Sequence, residues 1–210
     1  MSEVQPHTDR VTKVDLKKTL PRFAARRGRI DVIEVPAVRY LAADATGAPG
    51  EDSFASAIEA LYPLAYAIKF VSKAHGRDYV VPPLEALWWA DDMAVFTSER
   101  DPSQWKSTVL LMLPDWIGSE TVEEGRAKAA RKLAPPQLER VRVEVLQEGT
   151  AAQTLHIGPF SDEGPVIEAL HARIADDGLT LSGKHHEIYL SDFRKTAPER
   201  LRTILRQPAR

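Results

Sequence analysis

The sequence predicts an α+β fold made of two consecutive βαββ units. Three observations carry that prediction. Short β-branched runs and one long apolar-periodic segment occur in the same order in each half of the chain. Proline, glycine and aspartate clusters fall between those runs. The chain has 210 residues, 43% hydrophobic and 28% charged, a balance that belongs to a folded protein able to bury a substantial core.

Residues 1–27 read as a polar N-terminal arm. Lys13, Lys17, Lys18, Arg22, Arg26 and Arg27 outweigh a weak apolar series at Val11, Val14 and Leu16. Only Phe23 interleaves an aromatic, so the arm is expected to be loose and solvated. The domain proper spans 28–208, and its first repeat covers 29–114. Arg29–Val35 and Val38–Asp44 read as strands joined through Pro36-Ala37 as a hairpin. Asp52 or Ser53 can cap a helix whose apolar positions Phe54, Ile58, Leu61, Ala65 and Ile68 recur at helical spacing up to His75-Gly76. Tyr62, Tyr66 and Phe70 form a second stripe on it, as expected of a helix that packs on a sheet and borders a pocket. Tyr79–Val81, Leu84–Ala90 and Thr108–Leu113 supply the remaining strands.

A linker helix follows over 119–134, where Thr121-Val122-Glu123-Glu124 has a capping-box pattern and Pro135-Pro136 stops the helix. Repeat two covers 140–208. Arg140–Gln147 and Ala151–Gly158 read as another hairpin about Glu148-Gly149-Thr150. A helix then follows Ser161, with Pro165 in its first turn, Val166, Ile167, Leu170 and Ile174 inward, and a stop at Asp177-Gly178. Ile188–Leu190 and Leu201–Leu205 read as the last strands. Laying Asp192 on Asp92 places Glu187 over Leu87 and Tyr189 over Trp89. Two such units form one pseudo-symmetric sheet, with helices on one side and a cleft on the other.

Several functions are excluded early. A net charge of -2 lacks the basic excess that a phosphate backbone requires, so no nucleic acid partner is expected. The absence of cysteine removes disulfides and thiolate chemistry and suits the cytoplasm. No apolar run approaches the ~20 residues that span a bilayer, and no signal core opens the chain. GxGxxG, GxxxxGK[ST], HExxH and GxSxG are all missing. Adjacent residues in His185-His186-Glu187 point to opposite faces of a strand, which argues against a metal centre.

Two strands carry the candidate chemistry. In the first, Glu85, Leu87 and Trp89 share one face, with Ala86 and Trp88 on the other. Trp105 and Trp116 bring all four tryptophans into or beside this repeat. With Tyr62, Tyr66 and Phe70 they suggest an aromatic-walled pocket for a planar or cationic ligand. In the second strand, Glu187, Tyr189 and Ser191 share a face, opposite His186, Ile188 and Leu190. A glutamate and a tyrosine two apart can orient one water between them. A carboxylate mid-strand needs a partner or a function, and Lys184 or Arg206 could supply the former. Glu85 could line the cleft or pair with Lys69 or another base.

The segments Pro83-Leu84-Glu85-Ala86-Leu87-Trp88-Trp89-Ala90-Asp91, Ala151-Ala152-Gln153 with His156-Ile157-Gly158-Pro159-Phe160, and Ser182 through Asp192 resemble hallmark segments of the GyrI-like small-molecule-binding proteins. The resemblance runs from about Leu16 to Pro208. It implies a duplicated βαββ fold with a ligand cleft between the halves, where an acidic residue among aromatics, here Glu187, receives planar or cationic compounds. Residues 1–27 are too short for a DNA-binding helix-turn-helix, so a regulator is not expected. The stand-alone members with an LxxLWW-like strand are similar to cyclopropanoid cyclohydrolases, which open the cyclopropane of DNA-alkylating compounds with water. On that reading Trp89, Trp105, Tyr62 and Tyr66 sandwich the substrate, and Phe70, Glu85, Trp88 and His186 are further ligand contacts. Glu187, assisted by Tyr189, orients and deprotonates the water, with no cofactor. The alternative is a non-catalytic binder of planar lipophilic cations. No protein partner is assigned.

Overall fold

Eight strands join in one antiparallel sheet in the order β1-β6-β8-β7-β3-β4-β2-β5. The strands are β1 (Asp31–Val35), β2 (Val38–Thr46), β3 (Leu84–Trp89), β4 (Lys106–Met112), β5 (Arg142–Leu146), β6 (Gly149–Ile157), β7 (His185–Tyr189) and β8 (Arg202–Pro208). The helices are α1 (Leu16–Thr19), α2 (Asp52–Ala74), α3 (Ser119–Ala129), α4 (Pro135–Glu139) and α5 (Gly164–Asp176). These assignments come from a computed structural model that describes residues 12–49, 51–92 and 101–210; Val11 of the expected arm series lies outside them.

The duplication is present, but neither expected hairpin forms. β1 pairs with β6, while β2 pairs with β4 and β5. Each unit has given its first strand to the other. Only Pro36-Ala37 separates β1 from β2, which stand six places apart in the sheet. Six flat inter-strand steps would cover about 29 Å, and two residues bridge only about 7–10 Å. The sheet therefore curls until its ends approach, and the equally short β5–β6 connection imposes the same closure.

Strand lengths and registers superpose the units as β1 on β5, β2 on β6, β3 on β7 and β4 on β8. In that superposition Glu187 falls on Ala86, Tyr189 on Trp88 and His186 on Glu85. The register expected from Asp92 and Asp192 is thus one residue off, which in a strand exchanges the two faces. The symmetry axis passes between β3 and β7, where Ala86 lies opposite Glu187.

α2 packs on β2 and β4, and α5 on β6 and β8. Phe54, Leu61, Leu64 and Ile68 of α2 bury against Leu41, Ala43, Val109 and Leu111. α2 alone among the described helices is long and apolar enough to cross a membrane by length and composition, and 56% of its most apolar window is buried inside the protein. α3 starts at Ser119 after Gly118, so Thr121 lies within its first turn and the expected cap does not form. Pro135-Pro136 ends the preceding turn and opens α4. α3 crosses α2 at Gly125, where a Cβ would sit 2.4 Å from Ile68 Cγ1 and 3.1 Å from its Cα. Gly125→Ala is therefore expected to destabilise by about 1–3 kcal/mol despite alanine's better helix propensity, read as a lower urea midpoint.

The opposite face is covered by the N-terminal segment, which corrects the expectation of a solvated arm. Leu16, Arg22 and Phe23 are buried. Leu16 and Phe23 pack on Tyr40, Leu87, Ile188 and Ile204. The carbonyls of Arg22, Ala24 and Arg26 accept from Arg206, Gln153 and Thr154. The segment looks polar as sequence because Arg22 counts as solvated, whereas here it is paired.

Candidate functional site

β7 alternates as its sequence requires, so Glu187 and Tyr189 point to the helix face and His186 and Ile188 to the other. The candidate site is therefore on the helix side of the sheet, between α2 and the start of α5, not on the side away from the helices. Glu187 is buried and hydrogen-bonds Tyr189, a member of an aromatic cluster drawn from five separate segments. Phe54 of α2 stacks on Trp88 of β3 at 5.5 Å, and Trp105 meets Trp88 edge-on at 6.2 Å. Phe160, Tyr189 and Phe193 form a mutual edge-to-face triad at 5.6–6.0 Å. Phe54 closes the ring against Phe193 at 6.4 Å.

A hydrogen-bonded chain fixes the carboxylate. The Trp88 indole donates to the Tyr189 hydroxyl at 3.2 Å, and that hydroxyl donates to Glu187 Oε2 at 2.7 Å. Burial and the neighbouring carboxylate push the Tyr189 phenol well above its ordinary value, so it stays a neutral donor. Tyr189 is thereby a positioning group for the carboxylate, since its single proton is committed. Burial pushes Glu187 up to about 7, against the pull of the Tyr189 and Trp88 hydrogen bonds and of His186.

Glu163, at the entrance to α5, lies within range of the Glu187 charge. It is 4% exposed and its Oε1 has no partner among the described residues. Burial and the charge of Glu187 push it further up than Glu187, with Thr203 giving some relief. At neutral pH Glu163 is a carboxylic acid and Glu187 titrates, so the pair offers an acid beside a base. Two residues before Glu187, His185 is half-buried with its ring nitrogens enclosed, and it is pushed down to about 3, first by desolvation and then by His171, so its ring is neutral. Among the described residues, no group of three or more histidine, aspartate or glutamate side chains could hold a metal ion.

The remaining expected site residues divide. Tyr62 and Tyr66 line a groove of about 240 Å³ that also takes in Leu84, Tyr189, Phe193 and Arg194. This groove shares two walls with the cage. Phe70 lies on the outer surface of α2, 57% exposed, with the Lys69 ammonium over its ring. Trp89 points to the other face of the sheet, where Lys184 sits 3.1 Å from its ring centroid. Both are corrected as cage members: Phe70 extends the tyrosine stripe past the groove, and Trp89 is one strand position out of phase with Trp88.

Glu85 and His186 are also displaced from the cage. Both are fully buried on the opposite face, where His186 Nε2 lies 2.9 Å from Glu85. The partner of Glu85 is Arg22 at 3.0 Å, while Lys69 pairs with Asp78. Arg206 also belongs to that face and cannot reach Glu187 there; it pairs with Glu148. Sequence reasoning missed Glu163, Phe54, Phe160 and Phe193.

The profile of the GyrI-like small molecule binding domain matches residues 29–209. An uncharacterized conserved protein from Listeria innocua is 34% identical, with 94% of this chain and 100% of that one covered and a TM-score of 0.85. A hydrolase from Listeria innocua is likewise 34% identical, over 94% of this chain and 100% of that one, at a TM-score of 0.81. The C-terminal domain of EcmrR, 14% identical over 87% and 97% of the two chains with a TM-score of 0.54, shares the fold. No curated protein matches the sequence. An aromatic cage between two pseudo-symmetric halves, a profile covering nearly all of the described domain and full-length relatives at 34% identity converge: the chain belongs to the GyrI-like small-molecule-binding family.

Proposed function

We propose that the chain hydrolyses the cyclopropane ring of planar, DNA-alkylating electrophiles, a protective reaction suited to the cytoplasm. The observation that carries this reading is a buried pair of interacting carboxyls, Glu187 bound to Tyr189 of the aromatic cluster and able to accept a proton at neutral pH, Glu163 able to donate one. The 34% identity to a hydrolase supports it. Phe54 and Trp88 stack on each other and form an aromatic wall beside Glu187, and the groove along Tyr62 and Tyr66 offers an approach for a flat molecule.

The reaction needs little beyond positioning. A water oxygen attacks the ring methylene carbon while Glu187 takes its proton. The bond from that carbon to the spiro carbon breaks, and its electron pair passes into the dienone, which becomes a phenolate. Glu163 protonates that oxygen. Strain relief and aromatisation drive the step, and no redox partner is consumed. The expected product is the ring-opened alcohol, one water heavier, when the protein meets a spirocyclopropylcyclohexadienone probe. Unchanged probe after prolonged incubation refutes the reading.

The pH profile follows from the same two groups. The base must be ionised, so kcat/KM is expected to rise as pH climbs through about 7. The acid must keep its proton, so the rate falls again in alkali where Glu163 ionises. A profile flat from acid to alkali would leave neither carboxyl a role.

A buried carboxylate bonded to an aromatic cluster also favours a second reading, a binder of planar lipophilic cations without turnover. Quenching of tryptophan fluorescence by a cationic dye, with no product from the cyclopropane probe, would select it.

A further inference from the structure

We propose that the buried ion network behind β7, completed by Arg22 from the segment ahead of the family domain, is a positioning device that favours the ionised form of Glu187 against the effect of its burial. The proposal rests on Glu187 being the reactive carboxylate. His186 is its chain neighbour on β7 and projects from the reverse of the same strand. Its Nδ1 lies 2.8 Å from Glu148 and its Nε2 2.9 Å from Glu85, all three side chains being buried. Nδ1 hydrogen-bonds Glu148, while Nε2 lies at ion-pair distance from Glu85 without hydrogen-bond geometry; the two carboxylate charges flanking the ring favour its protonated form, an imidazolium.

The remaining members fix the sign of the network. Arg206 Nη1 reaches Glu148 at 2.8 Å, and its other nitrogens hold Gln153 and the Arg22 carbonyl. Arg22 Nη2 reaches Glu85 at 3.0 Å, and the Tyr40 hydroxyl donates to Glu85 at 3.1 Å. Three cations, Arg22, His186 and Arg206, thus face two carboxylates, Glu85 and Glu148. One positive charge is left over, enclosed by protein, directly behind Glu187. An enclosed charge acts through low dielectric and is poorly screened by salt.

Among the described residues, the groups found around Glu187 on its own face carry no positive charge. Tyr189 and Trp88 are neutral donors, His185 is neutral, and Glu163 opposes ionisation. The positive charge therefore comes through the sheet. The profile match begins at residue 29, yet Arg22 supplies one of the three cations. The segment before the domain is a working part of it.

The test is a titration of the full-length protein labelled with ¹³C at glutamate carboxyls, with the Glu187 signal identified by its loss in Glu187→Gln. In His186→Gln and in Arg22→Met the Glu187 midpoint is expected to rise by about one pH unit, the effect of removing one charge at this range. Arg22→Lys, which keeps the charge, is expected to leave the midpoint in place. Imidazole ¹⁵N signals of the unaltered protein provide the check that needs no variant: both His186 nitrogens are expected to stay protonated through neutral pH. An unmoved midpoint in a folded charge-removing variant, or a neutral His186 ring, overturns the proposal. The titration reads the carboxyl directly, so it stays decisive even if the cyclopropane probe is not consumed.

Discussion

Glu187→Gln is expected to lower turnover of a spirocyclopropylcyclohexadienone probe by about 10²–10⁴-fold, the usual contribution of one general base. The substitution is nearly isosteric. The glutamine carbonyl can still accept from the Tyr189 hydroxyl, so the Trp88–Tyr189 chain and the cage keep their arrangement. What disappears is the lone pair that takes the proton from water. Affinity for the neutral probe, followed by tryptophan quenching, is expected to stay within about threefold, since one neutral contact changes by less than about 0.7 kcal/mol. Retained turnover in the variant would move the proton transfer elsewhere. Loss of affinity for a cationic dye, with no product from the probe in either protein, would instead favour the binder.

The same substitution has a stability consequence whose sign can be worked out. Glu187 has a folded value near 7, above the ordinary glutamate value of 4.5. Between those values the folded chain holds more protons than the unfolded one, so its stability falls as pH rises through that window. Removing the titration flattens that fall. Thermal melts of the variant are expected to gain on the parent protein most clearly above pH 7.

Arg206→Met is expected to cost about 3–5 kcal/mol of folding stability, the range for removing one partner of a buried ion pair. Methionine replaces much of the volume and none of the donors. Glu148 keeps His186 and loses the guanidinium, while Gln153 Oε1 and the Arg22 carbonyl lose their buried donor. The urea midpoint is the direct readout, and a shift equivalent to less than about 1 kcal/mol would mean that the network contributes little to the fold. Acid should reproduce part of the damage. Glu85 and Glu148 are held below the usual carboxylate range by Arg22, His186 and Arg206. Their contribution is present at neutral pH and lost as pH falls below the unfolded glutamate value toward their folded ones.

Periodicity made the strands, helices and repeat order legible, and alternation along β7 put Glu187 and Tyr189 on one face. What it could not supply was register between distant strands. The match at Asp92 and Asp192 is one residue from the structural one, and hairpin expectations at Pro36 and Glu148 fail because strand exchange between halves leaves no local mark. Glu163 was hidden for a different reason. An acidic residue at a helix start is ordinary dipole complementation, so nothing in Ser161-Asp162-Glu163 distinguishes a buried acid from a solvated one. Phe54 read as core, and Phe160 and Phe193 sit in irregular segments without a period. Arg22 did leave a trace, because Glu85 in an apolar strand demanded a base. Lys69 was the nearer candidate in sequence, and only tertiary structure turns it toward Asp78.

The exchanged first strands also bear on how the chain acquires its structure. Asp31 pairs with Gln153, and Val38 with Leu146; each contact joins residues more than a hundred positions apart, although β1 and β2 are neighbours in sequence. Closing such loops is slow, and pairings of this separation place a domain toward the millisecond-to-second end of folding rates. Neither half can complete its own sheet during synthesis, since the edge strand of the first unit waits for β6 and β2 waits for β5. Until then β2 carries an open edge of the kind that recruits other chains. The two halves therefore form one cooperative unit, and the cage between them is assembled in the same late event that hides that edge.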